Sequence, residues 1–511
     1  MSIILASGAL GNDILTARCE SLKYERRNLA MCLCLLARMG YLYPSEFKLF
    51  IDWLATHPNH AMTYYILAAV LLAFDPVDPD TNSGSQRRDL ATEPTLMTYM
   101  TKKLAPSAEW QDSGLKAVIL LKWTLFLTDI RHRDSSLEHR SGFKTEELET
   151  QIWSAVQGDA FSFLALSALQ IQKKLTFLAG SSLLSTLTIP LDQESRDVPP
   201  QDFKSILLSA FETLIRSLIT HASSELRKIK QRQEDLVLAN VRTDRNRSTS
   251  SRFSSTLSPE SSRAGPPPRN DIAILYSFIG FLYASLPPES ALQFWGATPR
   301  GPLSFMEKIE ASVGRLPAFL QWSVWSTSAN DLTMMTALYD MLSGLARGQH
   351  CSELAYNFMA RGGGEVIPGS MLPSSSTAGP SVSWTLIFGI LDSWAVSASA
   401  PRGQIHTQNL GSLGDLQRRS GQFMIGPKEV LLAQAFLRLL AAVVTYSVTV
   451  RITISGHVHF RAIPTLVSLI PLSVPLELKG ALFDTLASFC ELEPYPHMQV
   501  HFVPVLMPLM C

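Results

Sequence analysis

The chain has no surplus of charge of either sign. Lys plus Arg and Asp plus Glu both number 44 among 511 residues, so no global field gathers nucleic acid or an anionic membrane surface. Charge is also sparse: charged residues are 17% of the chain. Much of the surface of its elements is therefore expected to be buried against neighbours or partners. Cysteine is scarce and scattered (Cys19, Cys32, Cys34, Cys351, Cys490, Cys511), which excludes the dense disulfide framework of a small secreted domain and fits a reducing compartment. Cys32 and Cys34 lie two apart in a helical pattern, so their side chains turn to different faces and match neither a redox CxxC nor a zinc pair. No basic segment followed by an apolar core opens the sequence, so no signal peptide is read there. Apolar runs are also too short to span a bilayer: Arg438 and Arg451 interrupt Val430 to Ile454, and Tyr64 to Phe74 falls well below the roughly 20 residues required. Both read as helices buried on all sides.

Chemistry-bearing motifs are missing as well. The glycine run Arg361, Gly362, Gly363, Gly364, Glu365 has no Lys-Ser or Lys-Thr after it to reach a phosphate, and a helix, not a strand, precedes it. His457 and His459 have no third ligand nearby and read as polar turn residues. No G-x-S-x-G elbow occurs, and the scattered acids, Asp13 among them, form no pair. No catalytic, cofactor-binding or metal-binding residue is assigned, and the chain is not expected to be an enzyme.

What the sequence holds is one helical pattern after another. Leu332, Met335, Leu338, Tyr339, Leu342 and Leu345 recur at spacings of three and four, with Asn330 and Asp331 to cap the start and Gly348 to close the end. A second helix carrying Leu354 and Phe358 stops at Gly362 to Gly364, completing a helix hairpin. Trp384, Ile387, Phe388, Leu391 and Trp394 repeat the spacing; Pro427 and Pro475 each open a further helix, and in the latter Leu482, Phe483, Leu486 and Phe489 are expected to face inward. Upstream, Ser21 to Gly40 predicts a helix with Leu22, Leu29, Leu33 and Leu36 inside and Glu25, Arg26 and Arg27 wet. Pro44 and Ser45 start another with Phe47, Phe50, Ile51 and Leu54 as its stripe, Asp75 to Asp89 reads as a polar loop, and Leu115 to Ile130 resumes the pattern. Ile152 to Leu187 reads as two helices broken near Gly180, and Phe203 to about Val241 as one long helix. Val448, Val450, Ile452 and Ile454 alternate as a strand would, yet helix is expected, because a lone strand would leave its backbone without a ladder.

Stacked hairpins of this kind make an all-α solenoid, in which each unit packs only on its neighbours. Four sections follow: an N-terminal solenoid section over 1–241, a Ser/Arg/Pro-rich insertion over 242–270 whose composition cannot build a core, a second solenoid section over 271–490, and an apolar, proline-containing tail over 491–511. The basic run Arg227, Lys228, Lys230 and Arg232 is interleaved with Glu225, Glu234 and Asp235 and reads as a solvated helix. Long connections over 362–380 and 398–425 read as tolerated insertions, with partner-binding loops as the alternative. Phe319, Trp322 and Trp325 step by three along one helix; core packing is the plain explanation, and a groove for a partner helix is the alternative.

Longer runs carry a resemblance. Leu320-Gln-Trp-Ser-Val-Trp-Ser-Thr-Ser328, Leu338 to Leu345, Glu353 to Glu365, Gly426-Pro-Lys-Glu-Val-Leu-Leu-Ala-Gln-Ala-Phe436, Ile454 to Pro464 and Leu476 to Phe483 resemble the very large inner-ring scaffold nucleoporins of the nuclear pore complex in their fungal form. Tyr24-Glu-Arg-Arg-Asn-Leu29 and Tyr283 to Trp295 are similar too, so the resemblance extends from about Cys19 to Cys490. It implies an α-solenoid of irregular HEAT- and armadillo-like hairpins, located in the nuclear pore complex, that binds linker nucleoporins and the coiled-coil inner-ring adaptor nucleoporin and supports pore assembly and nucleocytoplasmic transport. It implies neither direct nucleic-acid binding nor a transmembrane segment. A soluble karyopherin-like transport receptor is the alternative on the same architecture. Family members are several times longer, so the chain is expected to correspond to an N-terminal part, with the tail at 491–511 as a gene-model artefact or a frayed truncation. An uncapped apolar C-terminal end is expected to favour self-association.

Overall fold

A computed structural model describes residues 9–78, 81–171, 183–187, 201–250, 269–299, 301, 303–364, 382–399 and 425–490. Of the described residues 79% are helical and none lies in a strand, so the all-α expectation holds, and the alternating valines and isoleucines lie in a helix as expected. Its elements are α1 (Ala9–Met39), α2 (Pro44–Thr56), α3 (Thr63–Ala73), α4 (Asn82–Thr92), α5 (Pro94–Lys103), α6 (Ser113–Arg133), α7 (Thr145–Gln157), α8 (Ala160–Ile171), α9 (Leu183–Leu187), α10 (Gln201–His221), α11 (Ser223–Ser250) and α12 (Asp271–Tyr283). A 3-10 helix (Pro288–Trp295) leads to α13 (Phe305–Val313), α14 (Arg315–Trp325), α15 (Leu332–Leu345), α16 (Gln349–Ala360), α17 (Trp384–Ser399), α18 (Pro427–Tyr446), α19 (Val448–Gly456), α20 (Ala462–Leu469) and α21 (Leu476–Cys490).

The helices stack in two rows. In the inner row α8 packs on α12, α12 on α15, α15 on α18 and α18 on α21; at the other end α1 and α10 flank α3, and α7 and α8 lie on α6. The outer row includes the 3-10 helix, α16 and α19. Inner helices are apolar on every side because they have neighbours on every side. Gly114 to Ile130 of α6 is buried apart from Lys116, as is α12 apart from Phe281. Long polar tips tie the rows together: Trp295 Nε1 donates to the Leu345 carbonyl at 3.0 Å and Trp384 Nε1 to the Tyr356 carbonyl at 3.1 Å. One helix, α18, is long and apolar enough to cross a membrane, but 61% of that stretch is buried inside the body, and its Arg438 pairs with Asp340 of α15.

The inner helices come closest at a pair of glycines. A Cβ built on Gly344 of α15 would lie 2.6 Å from Gly280 Cα, and one built on Gly280 of α12 would lie 2.9 Å from Met341 Cα. Backbone therefore touches backbone at this crossing, and only glycine fits on either side.

Helix ends follow the local chemistry. Asp331 accepts from the Thr333 and Met334 amides at 3.1 Å, Ser304 and Glu307 form a capping box at α13, and Pro427 opens α18. Gly362 and Gly363 take positive φ, and their amides donate back to the Met359 and Phe358 carbonyls at 3.1 and 2.9 Å. The glycine run is thus a helix stop. Gly348, expected to close α15, instead opens α16 with φ 87°.

Several boundaries differ from the sequence reading. Within Asp75 to Asp89, residues from Asn82 onward form α4, started by Thr81, whose side chain accepts from the Gly84 amide. Propensity is weak there. The helix is held by buried Arg87, which donates to the Asp75, Leu72 and Arg38 carbonyls at the ends of α3 and α1. The first helix expected from Ile152 onward is interrupted at Gly158 and Asp159, where Asp159 has φ 68°; the break expected near Gly180 lies outside the described residues. The long helix from Phe203 breaks at Ala222. Of the insertion over 242–270, the backbone of 242–250 continues α11, and Arg269 pairs with Asp159 and Asp271 at 2.8 and 2.9 Å; residues 251–268 and the tail over 491–511 lie outside the description. In α21, Leu482 faces inward, Phe483 is exposed, and Leu486 and Phe489 are half-buried.

The largest reversal is in α1. Ala30, Cys34 and Ala37 form its buried face, Arg27 pairs with Asp202 at 2.8 Å, and the Arg26 guanidinium lies 5.6 Å from the Tyr65 ring. Leu22, Leu29 and Leu36 face solvent. Small side chains let α1 approach α3 closely, and this outweighs the leucine spacing.

Candidate interaction surface

Two open grooves lie on the surface formed by the described residues. The larger, of about 400 Å³, lies between α17 and α20 and is lined by Asp392, Ala395, Val396, Arg461, Pro464, Thr465 and Ser468. Its apolar lining is Ala395, Val396 and Pro464, of which Val396 is exposed. Asp392 and Arg461 supply one charge of each sign. Arg461 starts α20 with a left-handed backbone, φ 44°, held by the preceding turn. In that turn His457 stacks on Phe460 with ring centres 3.7 Å apart, and Phe460 stacks on Phe388 of α17 at 5.0 Å. Stacking in series thus fixes the groove's width. His457 and His459 are 5.8 Å apart, and no group of three metal-ligating side chains occurs among the described residues.

The smaller groove, of about 240 Å³, runs between α7 and α11 beside Trp153. Here the basic run meets its partners: Lys228 pairs with Glu149 at 2.7 Å and the Arg232 guanidinium lies 4.5 Å from the Trp153 ring centre. Lys230 pairs with Glu234 at 2.9 Å. Lys228 and Arg232 are interleaved with partners at the surface, whereas Lys230, expected to be solvated with them, is buried and also donates to the Ser326 carbonyl.

Phe319, Trp322 and Trp325 on α14 divide between core and surface. Phe319, 4% exposed, packs edge-on to Tyr276 of α12 at 5.8 Å, and half-buried Trp322 does the same at 6.3 Å, whereas Trp325 is 55% exposed. Each three-residue step falls about 60° short of a full turn, so two steps carry the third ring off the buried face. A Cβ on Gly363 would lie 2.7 Å from Val324 of the same helix, so the glycine stop after α16 packs beside these rings.

Several buried titratable groups away from the grooves are paired with one another. Lys122 and Asp75 form a buried pair, and Asp129 pairs with Arg133 and lies 3.4 Å from His221 Nε2. Burial, aided by His132, Arg133 and Arg315, pushes His221 down to about 3, so its ring is neutral. Farther along, Arg216 is held by Glu212 and Gln293, and the Tyr283 hydroxyl donates to Glu212 at 3.1 Å. Cys34 and Cys351 are buried thiols pushed up to about 12 by desolvation. None of these residues lines either groove. Such pairs fix neighbouring helices relative to one another and offer no exposed base or nucleophile.

The sequence reading found the α14 ring stripe but neither groove. Asp392 and Arg461 are far apart in the chain, and only the stacking of α17 on α20 brings them together.

No curated protein matches the chain. The sequence model of one family, described as the nuclear pore complex scaffold nucleoporins 186/192/205, matches residues 9–501. Nearly the whole chain is covered, and the match includes the helices that build the stack. The chain therefore belongs to the nucleoporin 186/192/205 family of nuclear pore complex scaffold proteins.

Proposed function

We propose that the chain is a structural element of the pore's inner ring, which holds segments of linker nucleoporins and of the coiled-coil adaptor nucleoporin in grooves between its helices, and so supports pore assembly and transport. The family is a structural one of the nuclear pore complex at the nuclear envelope; the particular partners are our reading. One observation carries it: the α17–α20 groove combines apolar Ala395, Val396 and Pro464 with a single charge of each sign, Asp392 and Arg461, beside a body in which buried pairs such as Lys122–Asp75 and Arg438–Asp340 are closed. A groove of this size suits one or two apolar anchors from an otherwise disordered segment, whose ordering entropy is offset by flanking polar contacts. On the same reading Trp325 is a surface anchor on α14, with Phe319 and Trp322 supporting it from the core.

The test is binding of fluorescent linker-nucleoporin peptides to the whole chain. Val396→Asp and Arg461→Glu should each weaken one peptide by roughly tenfold, about 1.4 kcal/mol, without altering the helical circular-dichroism signal. Affinity unchanged in both variants would remove this groove from the account. The balanced charge argues against a transport-receptor reading, which an acidic inner surface would favour.

A further inference from the structure

At 31 residues, α1 is the longest described helix, and its two sides are used differently. Its inner side carries Ala30, Cys34 and Ala37 against the body, with Arg27 bound to Asp202. Its outer side carries Leu15, Leu22, Leu29 and Leu36, all exposed, Leu29 by 72%. They stand seven apart. Seven residues fall only about 20° short of two full turns, so the leucines form one column about 31 Å long. Three residues after the first two leucines come Arg18 and Glu25, both exposed on one flank of the column and 3.3 Å apart. A seven-residue leucine column is the surface that a second helix covers by knobs-into-holes packing.

We propose that the occupant is a second copy of this chain, with α1 laid antiparallel on α1 about a twofold axis near Leu22. The charge pattern on the flank selects it. About that axis Leu22 meets its own counterpart, Leu15 meets Leu29 of the second copy, and Leu29 meets Leu15. Arg18 then comes within one residue, about 1.5 Å of axial rise, of the second copy's Glu25, and the reverse pair forms by symmetry. A parallel arrangement would turn that flank to the opposite edge of the second copy, setting Arg18 against Lys23, a like charge, and leaving Glu25 opposite Ala30. The column and its flank therefore read the same in reverse, as an isologous interface demands. This goes beyond the scaffold reading: it links two copies through one end of the stack and leaves the α17–α20 groove free.

The test is sedimentation of the full chain from low to tens of micromolar, with circular dichroism to show that each variant keeps its helix content. The wild type should dimerise reversibly, and Leu22→Asp with Leu29→Asp should give a monomer. Arg18→Glu and Glu25→Arg should each weaken association by roughly tenfold, and the double reversal should restore it, because the opposite pairs re-form across the axis. A wild type that stays monomeric overturns the proposal. So does a dimer that survives the leucine substitutions, one abolished by Phe483→Asp at the far end of the stack, or a double reversal no better than the singles.

Discussion

Replacing Gly344 by alanine should separate the two halves of the inner row. The new methyl group would stand 2.6 Å from Gly280 Cα, whereas non-bonded carbons rest at about 3.5 Å or more. The main chain of α12 must therefore retreat by about 1 Å, and no side-chain rotation can relieve the contact. Overpacking of a dense core costs about 3 kcal/mol at the upper end of its usual range. Alanine's better helix propensity returns about 1 kcal/mol, leaving a net loss of about 2 kcal/mol. In a stack of nearest-neighbour units that loss falls on the α12–α15 junction. Amide hydrogen exchange read by mass spectrometry should show the slowest amides of α12 and α15 opening roughly 30-fold more often, with little change in α3 or α6. Gly389→Ala is the control: it lies within α17 with nothing within 4 Å of its added Cβ, and it should be stabilising by about 0.5–1 kcal/mol. If Gly344→Ala left exchange unchanged, or slowed it as Gly389→Ala should, backbone contact would not be what positions these helices.

Acid should loosen the α6–α10 junction. His221 is held neutral well below its usual value of 6.5, and His132 beside it is lowered by burial. Between pH 6.5 and about 3 the unfolded chain therefore binds protons that the folded one refuses, and stability falls as pH falls through that window. His221 alone accounts for about 2 kcal/mol between pH 7 and pH 5, and His221→Leu should flatten the pH dependence of the melting temperature. Lys122→Ala should destabilise by about 3–5 kcal/mol, because it strands the buried Asp75 carboxylate, and Lys122→Ala with Asp75→Ala should recover part of the loss in chemical denaturation. Alkylation at neutral pH should modify exposed Cys19 and Cys32 and spare buried Cys34 and Cys351, whose thiols are pushed up to about 12; reaction of all four at similar rates in the folded chain would contradict the packing of α1 and α16.

Helix existence was legible wherever three-and-four spacing met a cap, as at Asp331 and Pro427, since both signals are local. Buried helices such as α6 were legible as apolar runs, although their neighbours were not. The reading failed where tertiary contacts override local preference. Polar α4 forms because Arg87 reaches three carbonyls of two other helices, and α1 turns its leucines outward because Ala30, Cys34 and Ala37 allow a closer approach to the body. The same limit hid the larger groove. Asp392 and Arg461 share no local pattern, and the stacking of His457, Phe460 and Phe388 that shapes the space between them is long-range. Conversely, the α14 stripe was visible in sequence, but its drift around the helix meant that spacing alone did not say which ring reaches solvent.

Affinity purification of the chain from cells, with and without Ran in its GTP-bound form, tests the central claim most directly. A pore scaffold should retain linker and adaptor nucleoporins in near-stoichiometric amounts whether or not Ran is added. Release of the bound proteins by Ran-GTP, or recovery of transport cargo in place of nucleoporins, would contradict it.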